Sequence, residues 1–461
     1  MKMKTLAASL LAGASICFSA CKDDDIPEVD NTVNFEAAAL GFSPSEPTAG
    51  FNLLLDRAAK EDVSVTVAVA AVGIAYGEGF TTSPAAGNGS LTAVIKAGET
   101  SAGITVAKAA GLLTEGDARI TFTVTAVSAP ATKGATSTLN LAFADIVSQG
   151  SVLTLNGLEG SEGENGSSAR LSVFVDFSSN KAVSVARASW DLGFYSGAEF
   201  RVILNQTAGA TAKAIDKTDL NAVSAADTTG LGDVLKLGFG QGNFDIIDDV
   251  EGDLSKTVIA AVSATATNNK VYIINPGSGQ WKKIRILQSS AGYTLQYANI
   301  ADATYKTLTV AKNAAANFQY VSLSTGAEVQ VEPAKAKWDI EWTYTTFRAN
   351  ATTPYLYADF VYTNTYGGAK SAQIVTEEAG VTYDTFTAAR LNTVVFSDSR
   401  VAIGSEWRTT TGAGIKKDRF YVVQDPAGNV YKLKFNAMGV GNDGGVRGKP
   451  EIEYALVKAA E

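Results

Sequence analysis

Val63-Ser64-Val65-Thr66-Val67-Ala68-Val69 places a valine at every second position, with small or hydroxylated residues between. A period of two sends one set of side chains into a core and the other outward, the pattern of a half-buried β-strand. Ile120-Thr121-Phe122-Thr123-Val124-Thr125 repeats it, and clusters of Gly, Asn, Ser and Pro separate such runs from Val33 onward. Helical periodicity of any length is absent. The expected fold class is all-β.

The rest of the chain narrows the function. Its 461 residues carry 38 basic and 47 acidic side chains, a formal net charge of −9, and no histidine. Without imidazole there is no Ser-His-Asp or Cys-His catalysis and no His-ligated metal. Only carboxylate, Lys or Tyr chemistry remains to an enzyme, and no carboxylate pair suited to glycoside hydrolysis stands out, so no enzyme is expected. An acidic chain matches a polyanion poorly, which excludes nucleic acid as an expected partner. The length suits about three domains of ~150 residues.

Met1-Lys2-Met3-Lys4 is basic, and Thr5 to Phe18 is apolar but too short to span a bilayer, as in a cleaved signal. Phe18-Ser19-Ala20-Cys21 resembles the bacterial lipobox, which implies a signal over 1–20 and lipidation of Cys21. Cys17 would leave with the signal, so Cys21 could form no internal disulfide. Lys22-Asp23-Asp24-Asp25, in a tether over 21–30, resembles the export run that takes some lipoproteins to the cell surface. No later run reaches the ~18 apolar residues a spanning helix needs, so contact with the outer membrane is expected through the anchor alone.

Residues 31–146 resemble the Calx-β family of immunoglobulin-like sandwiches. The carriers are Val33-Asn34-Phe35, Val63 to Val69, Gly73-Ile74-Ala75-Tyr76-Gly77-Glu78-Gly79-Phe80, Ile95-Lys96-Ala97-Gly98-Glu99-Thr100 and Thr114-Glu115-Gly116-Asp117. Calcium in that family needs clustered carboxylates, because the ion takes six to eight oxygens. Here Gly79-Phe80 and Ala107-Lys108-Ala109-Ala110 stand where the family has acidic residues, and Glu115 and Asp117 read as solvated turn residues. A spacer that binds no calcium is expected.

The remainder is duplicated. Trp190-Asp191-Leu192-Gly193-Phe194 matches Trp338-Asp339-Ile340-Glu341-Trp342. Val271-Tyr272-Ile273-Ile274 matches Phe420-Tyr421-Val422-Val423, and Lys283-Ile284-Arg285-Ile286 matches Lys432-Leu433-Lys434-Phe435. The displacement stays near ~150 residues, far beyond a solenoid repeat. The copies span 150–312 and 317–461. Period two puts Trp338, Ile340, Trp342 and Tyr344 on one face, as core, and turns Lys283, Arg285, Lys432 and Lys434 away from it.

The second copy carries Trp338-Asp339, Ile403-Gly404-Ser405-Glu406-Trp407-Arg408, Phe420-Tyr421, Asp425-Pro426-Ala427-Gly428, Tyr431-Lys432-Leu433-Lys434-Phe435 and Ile452-Glu453-Tyr454. In these it resembles the HmuY family of haem-binding surface lipoproteins, of which the first copy is a degenerate version. The resemblance implies finger-like loops that hold haem, or a related flat apolar ligand, and pass it to an outer-membrane receptor. It implies two axial side chains as well, histidines in some members and methionines in others. This chain has no histidine, and Met438 alone remains once the signal is gone, so bis-His and bis-Met ligation within one chain are excluded.

Tyr355, Tyr357, Tyr362 and Tyr366 crowd the matching loop region and are the candidate ligand-binding residues, with Met438. The same tyrosines fit a bulky strand face, and Met438 fits a gap filler. Gly238-Phe239-Gly240-Gln241-Gly242 lacks the Lys-Ser of a phosphate loop and reads as a hairpin or bulge. Asp245, Asp248, Asp249, Glu251 and Asp253 read as a solvated loop or a calcium loop without EF-hand spacing. A binding or adhesion protein for glycan or protein is the alternative to haem capture.

Overall fold

The computed structural model describes residues 31–42, 47–109, 118–143, 147–160, 166–238, 240–277 and 280–460. The signal, Cys21, the acidic tether, Glu115, Asp117 and Phe239 lie outside them. Alternation becomes a two-sheet sandwich at the start. One sheet runs β5 (Phe80–Ser83), β7 (Ser101–Lys108), β3 (Thr48–Leu55), β1 (Thr32–Phe35), β9 (Thr132–Lys133). The other runs β2 (Ala39–Gly41), β10 (Thr138–Ala142), β8 (Arg119–Val127), β4 (Val63–Val72), β6 (Ser90–Ile95). Val63, Val65 and Val67 face the core shared by Phe35, Phe51 and Phe122.

The duplicated part builds four sheets. Two are alike: β16 (Thr211–Ile215), β17 (Val271–Asn275), β18 (Lys282–Gln288), β19 (Gly292–Asn299), β20 (Lys306–Ala311) in one, and β25 (Lys370–Val375), β26 (Arg419–Gln424), β27 (Val430–Ala437), β28 (Glu451–Lys458) in the other. The second is completed at its β28 edge by β11 (Gly150–Thr154), the opening strand of the first copy.

The other two sheets cross between the copies. The hairpin β12 (Leu171–Asp176) and β13 (Lys181–Ala186) of the first copy pairs with β23 (Ile340–Arg348) and β24 (Pro354–Thr363) of the second, in the register Val175↔Ile340 and Val173↔Trp342. Reciprocally, β21 (Phe318–Ser322) and β22 (Ala327–Val329) of the second pair with β14 (Leu192–Tyr195) and β15 (Val202–Leu204) of the first. The two repeats have exchanged their first hairpins. Val173, Val175 and Phe177 are consequently buried among Ile340, Trp342, Leu433 and Tyr454, and Val321 and Leu323 among Leu192, Phe194, Ile284 and Leu295. Each such side chain contributes roughly 1.5–3 kcal/mol on burial, so apolar packing holds the exchange.

The paired Trp-Asp motifs pin it. Asp339 accepts the Phe177 N–H at 2.6 Å, and Asp191 accepts the Leu323 N–H at 2.6 Å. Asn364 and Asn205 repeat the symmetry, each donating its amide to the carbonyl of Trp338 or Trp190. Ring pairs do likewise: Trp338 meets Phe174 edge-on at 5.1 Å, and Trp190 meets Tyr320 at 4.7 Å.

Two face assignments need correction. Trp338 packs with Phe174 and Phe318, in a cluster apart from that of Ile340 and Trp342. Lys283 does not point to solvent: it is 1% exposed, and its ammonium donates to the carbonyls of Val223 and Asp302. The segment between β16 and β17 folds back over the outer sheet face and packs Leu220, Val223, Leu235, Ile246, Ile247 and Val250 against it. The segment between β25 and β26 covers the twin sheet with Val381, Tyr383 and Phe386, and Lys432 donates to the Tyr383 carbonyl.

Candidate functional site

The exchange creates a seam between the two crossed sheets. Phe174, Trp190, Phe318, Tyr320, Val331 and Trp338 fill it. Charged groups lie among the rings. Glu332 accepts the N–H groups of Asn317 and Phe318, and burial pushes its carboxyl up to about 7. Burial also raises Glu341, against the pull of Arg400. The Arg400 guanidinium lies 3.8 Å from the Tyr362 ring centre, a cation–π contact. The cavity left there is about 50 Å3, and Trp338 Nε1 at its wall finds no protein partner. That is room for a few waters, whereas pockets for drug-sized ligands run to roughly 300–1,000 Å3.

The five candidate residues do not converge. Tyr362 is buried opposite Glu341 and lines the seam, its hydroxyl bonded to Thr345 at 3.0 Å. Tyr366, in the turn after β24, also lines the seam and donates to the Gly252 carbonyl at 2.5 Å. Met438 is fully buried in the core with Trp407 and Phe435, and its backbone N–H is taken by Asp443. Tyr355 and Tyr357 lie on the outer half of the β23–β24 hairpin, edge to face at 5.7 Å. Tyr355 is 41% exposed, and Tyr357 donates to the Arg348 carbonyl. Strict alternation would set Tyr357 and Tyr362, on one strand, to opposite faces; the bulge between Thr343 and Thr345, with Asp359 opposite at a left-handed φ of 52°, returns them to one face, joined through Phe360 at 6.4 and 5.0 Å.

That bend holds an ionic cluster that alternation does not reveal. Asp359 is 2% exposed and pairs with Arg447 at 2.5 Å, while Arg408 donates to the neighbouring Ala358 carbonyl. Burial, partly offset by Arg447 and Arg408, pushes its carboxyl up to about 6. The sequence signal was Arg408 inside the Ile403 to Arg408 motif; its partner lies too far along the chain to be read.

The acidic run also resolves differently from a uniform solvated loop. Asp248 turns inward, accepting the N–H groups of Leu204 and Val258, and burial pushes it up to about 7. Asp249 and Asp253 accept local backbone N–H groups instead. Gly238 and Gln241 form an antiparallel bridge, the tight hairpin expected there. Among the described residues no three His, Cys, Asp or Glu are grouped to hold a metal ion.

The chain is thus an all-β protein in which an internally exchanged pair of repeats follows a two-sheet sandwich. A family profile described as HmuY protein matches residues 169–295 and 314–454, and the chain belongs to the HmuY family. No curated protein matches it. Among solved structures, the apo Calx CBD1 domain is similar at 10% identity, covering 25% of this chain and 99% of that one, with a TM-score of 0.21. A two-domain protein of unknown function from Bacteroides fragilis shares 11% identity over 72% of this chain and 93% of that one, with a TM-score of 0.18. A candidate carbohydrate-binding protein from Bacteroides ovatus shares 9% over 72% and 97%, with a TM-score of 0.17.

Proposed function

We propose that this is a lipid-anchored surface protein of HmuY type that captures a flat apolar ligand of the haem class by ring contact, without a pair of axial side chains from its own repeats. The observation that carries it is the exposed Tyr355 set edge to face on Tyr357, with the Arg408 guanidinium 6.0 Å from the Tyr357 ring. An exposed aromatic ring beside a fixed guanidinium suits a planar ligand bearing carboxylates. Tyr362, Tyr366 and Met438 are committed to buried contacts and stay out of this role. The 31–146 sandwich acts as a Calx-β-like spacer without calcium, Cys21 carries the lipid, and an outer-membrane receptor takes the ligand onward.

The test is titration of the chain from Lys22 with haemin and with iron-free protoporphyrin. Both should bind with similar affinity, and the double variant Tyr355→Ala/Tyr357→Ala should weaken both at least tenfold. Absence of binding for either porphyrin at micromolar concentration would sink the proposal, since a carrier holding its ligand by less than roughly 8 kcal/mol competes poorly for it.

A further inference from the structure

The two units of the exchanged pair are alike in fold but differ at one end. In the unit built on β25 to β28, the inner sheet face ends in a plug. Tyr431 stands opposite Leu456 and Tyr454 opposite Ser151. Phe177 from the exchanged hairpin closes on both tyrosines, at 5.6 and 4.8 Å. In the twin unit the same registers carry Lys282 opposite Asn299 and Tyr297 opposite Lys306, with Leu323 in place of Phe177. The plug has become an open polar trough of about 360 Å3, whose rim on the second copy is Ser324.

The side chains lining it are held ready. Lys282 donates to Asn299 Oδ1 at 2.5 Å, and Asn299 in turn donates to Asp302 Oδ2 at 2.9 Å. Lys283 reaches through from the other sheet face to the Asp302 carbonyl and fixes that loop. Tyr305 is 36% exposed, with its hydroxyl taking a hydrogen bond from Gln296 that sets the ring. Lys306 is exposed beside it and has no acidic partner among the described residues.

We propose that this trough is a binding site for an acidic saccharide. An exposed, fixed tyrosine ring offers a face for the C–H side of a sugar. The Asn299 and Asp302 pair presents fixed hydrogen-bonding groups to hydroxyls, and Lys282 with Lys306 supplies charge-assisted donors for a carboxylate. The size falls within the range of small-ligand pockets. Lys282 and Lys306 outnumber Asp302, the carboxylate in the same lining, so in a chain of net charge −9 this rim is locally basic and favours an anion. The site needs both repeats, because the Leu323–Ser324 wall arrives with the exchanged hairpin.

The experiment is calorimetric titration of the chain from Lys22 with oligogalacturonate, a hyaluronan tetrasaccharide and sialyllactose, against lactose and cellotetraose as neutral controls. At least one acidic sugar should bind at sub-millimolar Kd and at least tenfold more tightly than either control. Tyr305→Ala and Lys306→Glu, both at exposed positions, should each weaken it tenfold or more while leaving porphyrin binding and thermal stability unchanged. Lys282→Tyr, which copies the plugged unit, should abolish it. No binding by any acidic sugar, equal binding of neutral ones, or indifference to Tyr305→Ala would overturn the proposal, whatever the porphyrin result.

Discussion

Replacing Asp339 tests the exchange of hairpins directly. Its carboxylate is 1% exposed and takes the Phe177 N–H, which belongs to the other repeat, at 2.6 Å. Asp339→Ala strands that N–H in an apolar core, at a cost of about 1–3 kcal/mol. An opposing contribution exists, because burial first, and the like charge of Asp176 next, raise the Asp339 carboxyl well above its usual range. Asp339→Asn separates the two: it keeps an acceptor oxygen and removes the titration, so it should change stability by less than about 1 kcal/mol at neutral pH. Urea unfolding followed by tryptophan emission reads this cleanly, since all five tryptophans lie in the paired repeats and none in the sandwich. Interlocked units should give one emission transition, and Asp191→Ala, which strands Leu323 N–H, should lower that same transition by a similar amount. Two separable transitions, or an Asp339→Ala loss below about 0.5 kcal/mol, would refute the interlocked reading, as such a loss is typical of a plain surface change.

Stability should be greater at pH 5 than at pH 8. Asp248 and Glu332 are pushed up to about 7 and Asp359 to about 6, so their contribution is complete below the unfolded values near 4 and is lost as pH rises through 6 to 7. Each costs up to about 1.4 kcal/mol per pH unit across its window, and a flat or inverted urea midpoint between pH 5 and 8 would contradict the assignment. Millimolar calcium should leave the melting temperature of the sandwich unmoved; a rise of several degrees would reveal a site there. Cys21→Ala should move the protein from the membrane fraction to the soluble one, and unchanged retention would remove the lipid anchor from the proposal.

The strands, the duplication and the burial of the repeated tryptophans were legible because each is written locally: a period of two, a repeated string, a large ring; burial of Asp339 beside Trp338 was not. Nor was the exchange. A hairpin of Val173, Val175 and Phe177 presents the same face whether it meets its own repeat or its neighbour, so periodicity is silent about which partner it takes. Burial of Lys283 was hidden for another reason. Alternation reports two faces of a sheet but not what a distant loop lays over the second one; the apolar residues Ile246, Ile247 and Val250 within the acidic run were the available sign.

The arrangement of the candidate tyrosines was hidden for a third reason. Counting by twos sets Tyr357 and Tyr362 on opposite faces, whereas the bulge at the left-handed Asp359 returns them to one face, which runs from the exposed Tyr355 at the outer end to Tyr362 in the seam. That bend is held by Arg447 on a buried carboxylate, a costly arrangement that packing alone does not require. The twin unit departs from symmetry elsewhere, trading Tyr431 and Leu456 for Lys282 and Asn299 at the end of its core. Interlocked hairpins let each unit lean on the core of the other, so a charged residue can replace an apolar plug in one while the other's core still anchors the pair. Duplication with exchange therefore leaves one repeat free to open a polar site while its twin keeps the apolar one closed.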